Sequence, residues 1–271
     1  MMKVWALLLV LALHFKVHAL ASSEERRAET AASAVDVKPG AAFTLAFPDL
    51  PPDRRGQPAQ CEVSIPKAYD PARKVPLVVW LGGADGGNTA DRSFLPEGDF
   101  VVAGLPYPQG ADHPAQTNMV GQYEKVWAYQ RRMIEEIARQ VPNLDPATSI
   151  IAGFSNGGHA IDGMLRLAAT NGLADHFGAF ILVEGGGTSA AGRGDYPPLQ
   201  GKFAYVCWGE KSANRESLLR VGKRLEARGA RVTLREMQGA GHGFPESEKA
   251  NVRAWLKDEV RRGVANTPAA K

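Results

Sequence analysis

Hydrophobic and polar positions follow two rhythms along this chain. Cys61-Glu62-Val63-Ser64-Ile65 alternates apolar with polar, which predicts an edge strand exposed on one face. Pro76-Leu77-Val78-Val79-Trp80-Leu81 is an unbroken apolar run ending at Gly82-Gly83, the pattern of a strand buried on both faces. Phe100 to Leu105 repeats it and stops before Pro106. Between Val126 and Val141 the period changes. Val126, Trp127, Met133, Ile134, Ile137, Ala138 and Val141 recur at three- and four-residue steps, predicting an amphipathic helix. A buried strand at Ser149 to Ala152 and a helix from about Gly157 to Ala169 follow. Next come strands at Ala179 to Val183 and Phe203 to Trp208, a helix from Arg215 to Arg228 and a strand from Arg231 to Met237. The last helix runs from Glu246 to about Arg262, with Pro245 suited to its first turn. Strands alternating with helices predict an α/β fold, with a mostly parallel sheet covered by helices on both faces. There is no internal repeat.

The ends of the chain read differently. Lys3, the apolar run Val4 to Leu13 and the small-x-small triplet Ala19-Leu20-Ala21 predict a secretory signal peptide over 1–21. The run is shorter than the roughly 20 residues of a spanning helix. A secreted or periplasmic protein is therefore expected. Residues 22–46 read as a mobile lead-in, because Ser22 to about Val37 is rich in Ala, Glu and Ser and lacks apolar periodicity. Pro48, Pro51, Pro52, Gly56 and Pro58 make Phe47 to Gln60 a loop. One domain is expected over 47–264, with a short tail over 265–271.

Composition narrows the choice of partner. The formal charge is only +3 over 271 residues, which gives no reason to expect nucleic acid or an acidic membrane surface. No later stretch is apolar enough to span a bilayer, so no membrane partner is expected after cleavage. There is no His/Cys cluster at metal-ligand spacing, and neither a metal nor an organic cofactor is indicated. Export would permit a disulfide between the only two cysteines, Cys61 and Cys207. The preferred reading is two small buried hydrophobes.

Gly153-Phe154-Ser155-Asn156-Gly157 fits Gly-x-Ser-x-Gly with a buried strand before it and a helix after it. That context lifts a Ser hydroxyl out of the sheet edge on a tight turn, beside a helix N-terminus that favours negative charge. Ser155 is the candidate nucleophile. A Ser hydroxyl needs a base within hydrogen-bond reach. His242, in Gly239-Ala240-Gly241-His242-Gly243 between the last strand and the last helix, is the candidate base. His113 lies in a Pro-rich loop, His176 leads into a strand, and His159 reads as a packing or capping residue. Acyl transfer also needs N–H donors aimed at the developing oxyanion. The backbone of Asn156 can supply one, and Gly83 or Ala84, in the glycine-rich loop after Leu81, a second. That loop is not a phosphate-binding Walker loop, because no Gly-Lys-Ser/Thr follows.

With these motifs in place the chain resembles the α/β-hydrolase superfamily, and within it secreted esterases of the polyhydroxyalkanoate depolymerase and feruloyl esterase type. The likeness rests on Pro76 to Gly83, the Gly-Phe-Ser-Asn-Gly-Gly elbow, Trp208-Gly209-Glu210-Lys211 and Gly241-His242-Gly243-Phe244. It implies a single-domain α/β-hydrolase fold and a small-molecule or polymeric ester as substrate. Two positions depart from the pattern. Gly82-Gly83 stands where His-Gly is frequent. Ser212 occupies the position where an Asp commonly completes the triad. Glu184, at the end of an earlier strand, and Glu210 are the alternative carboxylates, and Glu184 is preferred. An incomplete triad would leave a binding protein on a hydrolase fold. An acyltransferase would use the same residues. Arg193-Gly194-Asp195 matches an adhesion tripeptide and is read as chance.

Overall fold

The computed structural model describes residues 37–98, 100–167, 171–187 and 194–260. The leader read over 1–21, its cleavage site, the C-terminal tail and Arg193 lie outside the described residues.

Ten strands are present among the described residues: β1 Ala42–Ala46, β2 Gln60–Ser64, β3 Leu77–Leu81, β4 Val101–Gly104, β5 Asp112–His113, β6 Gln116–Val120, β7 Ile150–Phe154, β8 Ala179–Val183, β9 Phe203–Gly209 and β10 Arg231–Met237. Helices α1 Tyr123–Gln140, α2 Asn156–Leu165, α3 Leu173–His176, α4 Arg215–Ala227 and α5 Glu246–Trp255 connect or flank them, and a π-helical turn, Leu256–Val260, extends α5. Eight strands form one sheet in the order β1-β2-β4-β3-β7-β8-β9-β10. All its pairings from β4 to β10 are parallel, and only β2 runs against its neighbours. The strand β8 lies near the middle, and all five of its residues are fully buried. Burying Phe180, Ile181, Leu182 and Val183 contributes about 1.5–3 kcal/mol each before entropy is set against it. The carboxyl end of β8 is therefore a rigid platform.

Helices cover both faces. On one, Val252 and Trp255 of α5 and Leu256 of the π-helical turn pack with Val78, Ile150, Ile181 and Tyr205. On the other, α2 packs against β3, β7 and β8, and α4 against β9 and β10.

Three expectations need correction. The lead-in read over 22–46 reaches into the sheet, because Ala42–Ala46 is β1 and pairs antiparallel with β2 from Ala42↔Ser64 to Ala46↔Gln60. Leu45 is buried and Phe43 half-buried, so a short alternation drives pairing in an otherwise polar region. With β1 outside it, β2 is not an edge strand, although Glu62 still faces solvent. The antiparallel pair β5–β6 falls in a segment where no element is expected.

The crossover from β3 to β4 carries no helix among the described residues. Phe94, fully buried in the sheet-side core, fills this space instead. Lys249 Nζ of α5 donates to Asp91 Oδ2 in this crossover at 3.0 Å.

Candidate active site

The candidate residues gather at the carboxyl edge of the sheet, where α/β folds bind ligands. Ser155 follows β7 directly, Glu184 follows β8, and His242 lies in the loop between β10 and α5. The turn at Ser155 is tight, with φ 55° and ψ −114°. Glu184 has φ 55° and Ala84 φ 47°. Non-glycine residues in this region cost about 1–3 kcal/mol each and persist where surrounding structure over-determines them. Three of the four such residues described are candidate site residues, which marks this edge as the strained part of the fold.

Close backbone contacts impose the strain. A Cβ on Gly157 would collide with the Leu81 carbonyl, and one on Gly185 with the Ser155 carbonyl. The elbow can fold against β3 and the loop after β8 only because both positions are glycine. The Ser155 N–H donates to Val183 O at 2.8 Å, and the Glu184 N–H to Cys207 O at 2.9 Å. Each strand end is thus tied to its neighbour.

Ser155, His242 and Glu184 form one hydrogen-bonded chain. His242 Nε2 lies 3.0 Å from Ser155 Oγ, and His242 Nδ1 lies 3.3 Å from Glu184 Oε2. With the proton on Nδ1 donated to the carboxylate, Nε2 is left to accept from the Ser hydroxyl. The His242 ring packs on Phe154, with centroids 5.2 Å apart. Glu184 is wholly buried, and three further donors hold it. The Gly209 N–H donates to Oε1, Ser212 Oγ to Oε2 at 2.6 Å, and Asn214 Nδ2 to Oε2 at 3.2 Å. The residue standing where an Asp is usual thus orients the carboxylate that reaches across from the adjacent strand. Glu210 is turned elsewhere, its Oε2 accepting from the Gly239 N–H at 2.7 Å where the His242 loop begins.

On the other side of Ser155, Asn156 opens α2, so its N–H has no helical acceptor. Gly83 lies against the nucleophile, and a Cβ placed there would meet the Phe154 ring and sit 3.3 Å from Ser155 Cβ. Ala84 follows it in the same loop. Of the three candidate donors, Gly83 lies against Ser155 and Asn156 follows it directly, while Ala84 is tied to the site through its carbonyl, which accepts from Asn156 Nδ2 at 2.8 Å.

The remaining histidines have other partners. His113 Nδ1 accepts from the Ala115 N–H at 3.0 Å within the β5–β6 turn, and His176 stacks edge-on against Trp127. His159, read as a packing or capping residue, is buried on α2, and its Nδ1 accepts from the Gly186 N–H at 2.7 Å. One turn on, Asp162 Oδ2 accepts from the Gly187 N–H at 2.7 Å. Together they clamp the loop that follows Glu184. Cys61 on β2 and Cys207 on β9 are buried and free. Burial pushes the Cys61 thiol up to about 12 and raises that of Cys207 as well. Asp195 of the adhesion-like tripeptide is paired with Arg228.

The state of His159 gives a testable stability profile. Burial, and then the nearby His242, hold it down from the ordinary 6.5 to about 4. The unfolded chain therefore binds a proton that the folded chain refuses between these values. Stability is complete above pH 6.5 and is lost as pH falls toward 4, by roughly 3 kcal/mol from this residue. Urea unfolding at pH 7 and at pH 4.5 measures the loss. H159Q is expected to remove that share of it, and an unchanged pH dependence in H159Q would contradict the assignment.

No protein-family model matches the chain, and no curated protein matches it in sequence. Solved structures do share its fold. A fungal esterase from Rhizomucor miehei aligns with TM-score 0.55 and 14% identity over 90% of this chain and 89% of that one. The Bacillus cereus carboxylesterase aligns with TM-score 0.57 and 15% identity over 72% of this chain and 92% of its own. Thermogutta terrifontis esterase 2, solved phosphoramylated by tabun, aligns with TM-score 0.54 and 14% identity over 87% and 98%. The chain has the α/β-hydrolase fold.

Proposed function

We propose that this protein is a serine hydrolase of carboxylic esters, working through an acyl-Ser155 intermediate. The observation that carries the reading is the continuous chain Ser155–His242–Glu184, with links of 3.0 and 3.3 Å at the carboxyl edge of the sheet. Ser155 Oγ attacks the ester carbonyl while His242 Nε2 takes its proton. The oxyanion forms beside the N–H of Asn156 and that of Gly83 or Ala84. Collapse breaks the ester C–O bond, and His242 returns the proton to the departing alkoxide. Water, activated by the same imidazole, then attacks the acyl-enzyme and releases the carboxylic acid. Glu184 orients the ring and stabilises the imidazolium present in both halves. The Ser212 hydroxyl, 2.6 Å from Glu184 Oε2, supports this reading over a degenerate site, since it orients the candidate acid.

Several fold neighbours are esterases or carboxylesterases, which favours an ester as substrate, although a dipeptidyl aminopeptidase shares the fold as well. The esterase modified by tabun also supports a test with organophosphorus reagents. A fluorophosphonate probe is expected to add one phosphonyl group, located by peptide mass spectrometry on Ser155. An intact protein mass unchanged after prolonged exposure would overturn the reading.

A further inference from the structure

The glycine-rich loop after β3 has no helix to stiffen it, yet an oxyanion donor must be fixed before the charge develops. Beside the turn bond from the Gly86 N–H to Gly83 O, its main tether to the rest of the site is the carbonyl of Ala84. Ala84 O accepts from Asn156 Nδ2 at 2.8 Å and from Arg54 Nη1 at 3.4 Å. Both side chains also grip the β5–β6 hairpin. Asn156 Nδ2 donates to Asn118 O at 3.0 Å, while Arg54 Nη2 donates to Asp112 Oδ1 at 2.7 Å and to Thr117 O at 2.8 Å. Arg54 has a side chain only 5% exposed, with Asp85 3.7 Å from Nη1, and its own backbone N–H is tied to Tyr107 O at 2.9 Å. Asn156 is buried as well. Tyr107, whose hydroxyl donates to Gly82 O at 2.7 Å, supports the start of the loop.

We propose that Arg54 and the side chain of Asn156 are positioning residues for the oxyanion site, locking Ala84 in its left-handed conformation and stitching the donor loop to the β5–β6 hairpin. The inference rests on the hydrolase reading above. Asn156 then has two separate tasks. Its backbone N–H faces the oxyanion, while its amide fixes the residue bearing, or adjoining, the second donor. Left-handed Ala84 is unfavourable by itself, and two donors on its carbonyl hold the peptide that follows it in one orientation. The hairpin supplies the anchor, since three of its polar groups receive the other ends of the same two side chains. A substituent pressing on this hairpin would act on the oxyanion donor through them.

The test separates transition-state stabilisation from ground-state binding. Inhibition by an aryl trifluoromethyl ketone, which adds Ser155 to form a tetrahedral oxyanion, is measured beside KM and kcat for a nitrophenyl ester. N156A keeps the backbone donor and is expected to weaken the inhibitor and lower kcat by about 10- to 100-fold, with KM within about 3-fold of the wild type. N156D keeps the shape but sets an acceptor against two carbonyls, so its loss should equal or exceed that of N156A. R54K keeps the charge without the fork and should shift the same quantities by about 5- to 10-fold. N156D and R54K behaving like the wild type, or KM rising in step with the inhibition constant, would overturn the inference. Fluorophosphonate labelling of the wild type is run alongside. A wild type that does not label overturns the hydrolase reading and this inference together, whereas a reactive wild type with unaltered variants overturns this inference alone.

Discussion

Replacing Ser155 by Ala is expected to lower ester turnover by about 10³-fold or more, and His242→Ala by a similar factor. The reason is geometric. A neutral hydroxyl is a poor nucleophile, and in the proposed mechanism Nε2, 3.0 Å away, takes its proton during attack. Because the proposed mechanism makes the two residues act as one unit, the double variant should be no slower than the worse single variant. Steady-state kinetics of the three variants on a nitrophenyl ester decides this. Losses that multiply in the double variant would show two groups acting independently, against the shared proton transfer. The folded fraction of S155A should not fall, since the change removes only a side-chain oxygen from a strained turn.

Glu184→Gln is expected to cut kcat by about 10²- to 10⁴-fold while leaving substrate binding largely intact. The amide can still accept from the Gly209 N–H at one end. At the other it presents an N–H₂ group to Asn214 and to the His242 ring, where both partners are donors. The ring escapes by shifting its proton to Nε2, which then points a hydrogen at Ser155 and can no longer accept one. Ser212→Ala removes one of the donors on the carboxylate and should cost far less, about 10-fold or below. Ser212→Asp should be worse than Ser212→Ala, because it sets a second carboxylate against a buried one. Pre-steady-state acylation rates across this series test the assignment. An Asp at 212 that restored rate to E184Q would show that the acid can be moved one strand over; an E184Q enzyme of wild-type rate would remove Glu184 from the mechanism.

Ser155 and His242 stand out in the sequence because each lies where a strand ends and is flanked by glycine, a local pattern with a local cause. The acid does not. Glu184 and Ser212 come from successive strands, and their 2.6 Å contact exists only because β8 and β9 pair in parallel register from Ala179↔Phe203. A linear reading sees an Asp replaced by Ser and cannot see that the hydroxyl serves a carboxylate next door. Arg54 is hidden in the sequence for a similar reason. It sits in a Pro-rich loop, and nothing near it in sequence signals that it reaches a carbonyl thirty positions on. The sheet itself is more legible, since β3, β7, β8 and β9 are continuous apolar runs. Its boundary failed at β1, where Phe43 and Leu45 are too few to establish a period. The hairpin β5–β6 failed because Gln116, Thr117 and Asn118 are polar and exposed and leave no apolar rhythm to detect.

The two thiols sit on β2 and β9, with β4, β3, β7 and β8 between them. At about 4.8 Å per strand they are on the order of 24 Å apart, several times the reach of a disulfide. No covalent cross-link can therefore join them within this domain, and its cohesion comes from the sheet and the helices laid upon it. A chain built this way needs neither an oxidant nor a disulfide isomerase to mature. A reductant added to the assay has no disulfide within the domain to cleave.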